Sequence, residues 1–301
     1  MTCGEMIRDW RVRRRRTQLD VALAVGVSAR HLSFVETGRA RPSRRLVAAL
    51  GEQLDMPLGA RNEALLAAGF APAYTAHGLD DAPMRPVRAA LETVLAAHSP
   101  YPALVLGAGF DLLTANAGAA LFVTGVDAAL LAPPLNVMRL TLHPDGLAPR
   151  LLNHAQVRDS VLARVRRSHE RTADPRLGEL YRELSDYPAP PDIVDPDPVP
   201  GVFVPFRMRG DDGGELTFAS TLTTFGGPRD VVLDSLVLEA FYPMDEETRR
   251  RLDGAAYGLP NRAETRFANQ TSAVPVFDAI CTAVAPDAVR TFRTNHPTER
   301  V

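Results

Sequence analysis

The sequence predicts a two-part chain, an all-α head of five helices followed by an α+β body built on an antiparallel sheet. Three observations carry this expectation. Residues 1–72 contain five short segments with apolar residues at helical spacing. Residues 201–243 contain three strand-like runs, GVFVPFRMR, ELTFASTLTTF and VVLDSLVLEAFYP, the first two joined by the turn sequence GDDGG. The net charge of -2 conceals a basic head on an acidic body: residues 1–45 hold 11 Arg against Glu5, Asp9, Asp20 and Glu36, which is +7 and leaves -9 for the rest. A chain of 301 residues is long for one domain. All its positive charge is arginine, a bias that reflects base composition more readily than chemistry.

The first helix is expected over residues 5–16, EMIRDWRVRRRR, with Met6, Ile7 and Trp10 turned inward, Val12 the only apolar residue after them, and an all-arginine last turn. Thr17 is placed to cap a second helix. Gln18 at its start would bring a side-chain amide and a backbone N–H near a phosphate, while Leu19, Ala22 and Leu23 supply the apolar face. Gly26 suits a left-handed helix end and Ser28 caps the next helix, so the pair must cross about a short turn. In the third helix, SARHLSFVET, Leu32 and Val35 point inward and Ala29, Arg30, His31 and Ser33 lie at the exposed N-terminal end. GRARPSRR follows, with Arg39, Arg41, Ser43 and Arg44. A fourth helix over 43–54 and a fifth from Gly59 to Ala68, ending at Gly69, close the head near residue 72.

Gln18, Ala22, Gly26, Val27, Ser28, Leu32, Glu36, Gly38, Pro42 and Ser43 fall where the lambda-repressor and Cro-like (XRE-type) helix-turn-helix family has its characteristic residues, and the segment resembles that family. The resemblance implies a double-stranded DNA operator as partner. The N-terminal positions of the third helix would enter the major groove. Arg30 would pair with O6 and N7 of a guanine, worth about 1–3 kcal/mol of discrimination. His31 either donates to a base or phosphate or sits at the helix surface. Arg39, Arg41, Ser43 and Arg44 would grip the backbone and set salt dependence. The family also often pairs the positions of Arg11 and Glu36, and Arg16 stands where it usually has an apolar residue.

Residues 71–86, APAYTAHGLDDAPMRP, read as a linker, and a helix over 86–97 presents Val87, Ala90, Leu91, Val94 and Leu95, either to connect the parts, to dimerise or to pack on the body. Residues 73–98 are thus linker and connecting helix. The body begins with a hairpin, residues 103–107 and 110–115, after which Asn116 is placed to cap a helix. LNVMRLTL is a short apolar run, and helices are expected over His154–His169 and Arg176–Ser185. Residues 187–200 are too proline-rich for helix interior. Residues 254–301 form a C-terminal extension in which VPVFDAICTAV is expected as a short apolar helix docking on the body or a partner, with RTNHPTERV fraying.

PYPALVL, the Asp111–Asn116 segment, NVMRLTLHPDG, the paired helices and LVLEAFYP together resemble the ligand-binding domain of MmyB-like transcription regulators over roughly residues 86–253. The resemblance implies a PAS-like domain over 99–253 that holds a small hydrophobic, fatty-acid-like ligand, for which Leu106, Leu113, Phe122, Met138, Phe203, Phe206, Phe218 and Leu222 are expected to line the pocket. The proline-rich passage stands in place of an aromatic stretch common in that family.

Nothing in the sequence points to an enzyme, a metal or a cofactor. The seven histidines form no HxxxH or HExxH, no Walker loop or GxSxG occurs, and GAGFDLL lacks the third glycine of a dinucleotide site. Asp192, Asp195 and Asp197 suit a solvated loop better than a cation site. Cys3 and Cys281 make no framework, no 18-residue apolar run occurs, and a cytoplasmic protein without membrane association is expected. The expected function is a homodimeric, ligand-sensing transcription regulator. The alternative keeps the DNA-binding head but gives the body only dimerisation or protein-partner binding.

Overall fold

Five helices fill the head, and the sequence closes each of them with specific end groups. They are α1 (Cys3–Arg13), α2 (Gln18–Ala24), α3 (Ala29–Glu36), α4 (Arg44–Gln53) and α5 (Leu58–Ala67). The structure is a computed structural model that describes residues 1–190 and 202–254. Thr2 with Glu5, and Thr17 with Asp20, form capping boxes, while Ser28 and Ser43 accept the N–H groups of His31 and Leu46. Thr2 therefore starts α1 two residues ahead of the expected helix. That helix also stops at Arg13, because Arg15 turns left-handed (φ +52) and Arg16 N–H closes back on the Arg11 carbonyl. Gly26 ends α2 in the same way, where φ is +74.

The head core gathers Met6, Ile7 and Trp10 with Val21, Ala22, Leu32, Val35, Leu46, Val47, Leu50, Leu54 and Leu65. Gly4 lets α1 cross the end of α3, since a Cβ there would run into the Val35 carbonyl oxygen. The expected apolar face of α2 is corrected. Val21 and Ala22 are fully buried, whereas Leu19 and Leu23, four residues apart and so on one face, are exposed.

The first compact unit comprises residues 1–77, 167–175 and 225–235. Within it, Arg14 donates to the carbonyls of Leu54 and Asp55 at the end of α4 and to those of Glu170 and Arg171, and its guanidinium covers Trp10. Residues read as linker are held here: the Asn62 amide bonds the backbone of Ala73 and Tyr74, and Asp230 accepts the His77 N–H and contacts its ring at 2.9 Å. Asp234 accepts the Leu58 N–H at the start of α5, which has no side-chain cap from its own N-cap residue, Pro57. Residues 231–235, expected as strand, are the short helix α10. Asp230 caps it by accepting from Val232 and Leu233, and this local bonding outweighs the β-propensity of the two valines.

The second unit comprises residues 78–166, 176–224 and, among the described residues, 236–254. It holds α6 (Arg85–His98), β1 (Ala103–Leu106), β2 (Leu112–Ala115), α7 (Val137–Leu142), most of α8 (His154–Thr172) and of α9 (Pro175–Asp186), β3 (Phe206–Arg209), β4 (Glu215–Thr224), β5 (Val237–Pro243) and α11 (Glu246–Gly254). The five strands form one antiparallel sheet in the order β2-β1-β5-β4-β3, which is compatible with a PAS-like arrangement. β1 is buried along its whole length between β2 and β5. In α6, Leu91 and Leu95 face the core and Val94 does not. The hairpin is as read, and Asn116 stands at the start of a 3-10 helix, Ala117–Phe122, without capping it through its side chain. It accepts the Ala103 N–H and donates to the Leu95 and Tyr101 carbonyls, tying α6 to the sheet. Asn136 does act as a cap, accepting from Met138 and Arg139, and so turns the apolar run LNVMRLTL into α7.

Glu239, 7% exposed on β5, is matched by Arg164 at 2.8 Å. Arg139 of α7 and Glu183 of α9 pair through two bonds of 2.6 and 2.8 Å, and the Tyr187 hydroxyl donates to the same carboxylate. The hydrogen bond from Arg139 holds Glu183 below the usual carboxylate range despite partial burial. Burial, followed by the bond to Glu183, pushes Tyr187 up to about 12. Between pH 10 and about 12 the folded body thus keeps a proton that the unfolded chain has lost, so stability falls as pH rises through that window. Urea unfolding across that range should show a steeper decline for the native protein than for Tyr187→Phe; parallel curves would contradict the assignment.

Candidate nucleic-acid interface

α3 is held from beneath by one carboxylate. Glu36, its last residue, has a side chain only 1% exposed, and it receives Arg11 Nε on Oε1 at 2.7 Å and Arg11 Nη2 on Oε2 at 2.9 Å. Gln18 Nε2 donates to Oε2 at 2.7 Å, and Arg11 Nη1 donates to the Arg16 carbonyl at 3.0 Å. Glu36 therefore ties α1, the first residue of α2 and the end of α3, and Arg11 also holds the turn before α2. The hydrogen bond to Glu36 raises the Arg11 pKa further above its ordinary value. The Gln18 amide, expected near a phosphate, is engaged with Glu36, and Gln18 is half-buried.

The other sequence-derived residues separate by exposure. Arg30, His31, Arg39, Arg41 and Arg44 are exposed, in the N-terminal half of α3, the following loop and the first turn of α4. Ala29 and Ser33 are half-buried, and Ala29 packs against the head core. Ser28 and Ser43 are exposed, but their hydroxyls serve as caps. Their helix N-termini remain places where an anion is favoured by the backbone dipoles. The Arg30 guanidinium lies over the Phe34 ring, 5.3 Å from its centroid. Phe34 was not singled out from the sequence, although its spacing of four from Arg30 puts both on one helix face.

In the body, Leu106, Phe122, Met138 and Phe218 join one apolar cluster with Phe206 packed against it. Phe122, Phe206, Phe218 and Phe241 meet edge-on or tilted, the closest pair with ring centroids 4.8 Å apart. Leu113 is half-buried. Phe203 and Leu222 do not belong with the group, being 47% and 52% exposed. β4 explains the second: its first residues alternate inward and outward, but from Ser220 on it is exposed on both faces.

Two family models match this architecture. Residues 87–254 match the MmyB-like transcription regulator ligand binding domain, and residues 7–60 match the helix-turn-helix model. The chain belongs to the MmyB-like transcription regulators. It is a DNA-binding transcription regulator with a ligand-binding domain, its helix-turn-helix match running from within α1 to the start of α5 and its ligand-binding match spanning the whole sheet. No curated protein matches the chain. Among the described residues, no helix is long and apolar enough to cross a membrane. The acid cluster Asp192, Asp195, Asp197 and the C-terminal extension after residue 254 lie outside the described residues.

Breaking one side of a buried ion pair leaves an uncompensated charge, which is strongly destabilising. Arg11→Met should lower head stability by about 3–5 kcal/mol. Arg11→Met with Glu36→Leu should recover most of that loss, since well-packed apolar replacement of a buried pair is close to neutral. Chemical denaturation of the two variants checks this, and a loss under about 1 kcal/mol in the single variant, the level of an exposed pair, would refute it.

Proposed function

We propose that this MmyB-like regulator is sequence-specific, acts as a homodimer, and senses a small apolar, fatty-acid-like ligand through its C-terminal domain. Residues 1–72 are the DNA-binding part, 73–98 the connection and 99–253 the sensor. The observation that carries the DNA reading is the exposed set Arg30, His31, Arg39, Arg41 and Arg44 around a recognition helix whose Glu36 end is fixed from within. Arg30 reads a guanine in the major groove, while Arg39, Arg41 and Arg44, with the N-terminus of α4, hold phosphates. Two copies would grip half-sites about one helical turn apart. The sensor reading is supported by the aromatic and aliphatic cluster around Phe122, Phe206 and Phe218. A ligand alters operator affinity only by binding the two arrangements of the dimer unequally.

A second reading, in which the body serves only dimerisation or a protein partner, is favoured by one observation: Leu222, Tyr242 and Met244 of and beside β4 and β5 are 44–52% exposed.

Binding to promoter fragments separates the roles assigned to the head. Arg30→Ala should relax base preference, costing about 1–3 kcal/mol on the preferred site. Arg44→Ala should weaken all sequences alike and reduce the salt slope by about 1. Unchanged binding by both variants sinks the DNA assignment. Native mass spectrometry of the purified protein tests the sensor. A retained lipid or small acid is expected, and a rigorously empty domain would favour the second reading.

A further inference from the structure

Phe34 is unlike the other large apolar residues of α3. Leu32 and Val35, on either side of it, are fully buried in the head core, whereas Phe34 is half-buried and belongs neither to that core nor to the residues packed against it. Its ring instead underlies Arg30, with Cζ 5.3 Å from the ring centroid. Among the described residues no ion pair of Arg30 stands beside this aromatic contact. The Phe34 carbonyl meanwhile accepts the N–H groups of Arg39 (2.8 Å) and Ala40 (3.0 Å), which fixes the start of the basic loop. One residue thus anchors the reading arginine through its ring and the gripping loop through its backbone.

We infer that Phe34 is a positioning residue for base recognition: it holds the Arg30 guanidinium against its ring before DNA arrives. This rests on the proposed reading of a guanine by Arg30. A free arginine must lose the freedom of a long side chain when it binds a base edge, and a guanidinium already stacked on a ring has lost part of it beforehand. Arginine over an aromatic face at an exposed site is a weak but real attraction. Its removal should appear as about a two- to fivefold loss, and only in discrimination at the position that Arg30 reads. The backbone bonds to Arg39 and Ala40 survive a change of side chain, so general affinity should hold.

The test is selection of a randomised duplex library by the full-length protein and by Arg30→Ala, Phe34→Leu, Phe34→Tyr and the Arg30→Ala/Phe34→Leu double variant, each checked for native melting. The base position at which Arg30→Ala loses preference identifies its contact. At that position Phe34→Leu should lose about two- to fivefold discrimination, Phe34→Tyr should retain it, and Phe34→Leu should add nothing in the Arg30→Ala background. Should the leucine variant fail to fold, Phe34→Met repeats the comparison with an unbranched side chain. Unchanged or improved discrimination in Phe34→Leu, or an equal loss in both backgrounds, overturns the inference while leaving Arg30 as the reader. If Arg30→Ala changes no base preference, the underlying reading itself fails, and that result is distinguishable from the others.

Discussion

The carboxylate of Glu36 is the point on which the head depends. It lies in an interior where an unpaired charge would be strongly unfavourable, and it is tolerated because Arg11 meets it with two bonds and Gln18 with a third. The three donors come from α1 and α2, so satisfying this one acid fixes three helices together. Apolar packing of Leu32 and Val35 supplies the bulk of the burial but is less directional. The ion pair adds what packing lacks, a defined rotation of α3 about its axis, and that rotation decides which of its residues face outward.

Arginine serves two opposed purposes in the first unit, and its surroundings separate them. Arg11 and Arg14 are inward or half-covered and spend their donors on Glu36 and on helix-end carbonyls. Arg30, Arg39, Arg41 and Arg44 lie in water, where charge is available to a polyanion. A count of positive charge near the N-terminus mixes the two groups; only the geometry distinguishes them. The body shows the same economy with asparagine. Asn116 spends its amide on tying a strand to α6, while Asn136 spends its own on starting a helix.

Much of this was legible in the sequence because local rules agree with the fold. Thr17, Gly26 and Ser28 mark helix ends by chemistry that acts within a few residues, and they stand where expected. The five-helix head, the antiparallel sheet and the two paired helices of the body follow from apolar periodicity together with the turn residues between segments. The failures have a common physical origin in short segments. In the seven residues of α2, leucines four apart suggest a face as well as Val21 and Ala22 do, and only tertiary packing chooses between them. VVLDS reads as strand until Asp230 is seen to cap it, and NVMRLTL, legible only as a short apolar run, is a helix because Asn136 bonds forward. Leu222 continues an alternating pattern past the point where β4 leaves cover. Phe34 was missed because an aromatic residue beside two core positions is ordinarily read as core.

The central claim is that arginines fixed within the head orient those proposed to meet DNA. The most direct measurement is the Nε–Hε NMR spectrum of the arginines in the labelled protein, before and after addition of a duplex obtained by selection. The account predicts that the Arg11 signal, bonded to Glu36, stays in place while those of Arg30, Arg39, Arg41 and Arg44 shift or broaden. A shift of Arg11 equal to theirs would show that the Glu36 pair opens on binding, and would contradict it.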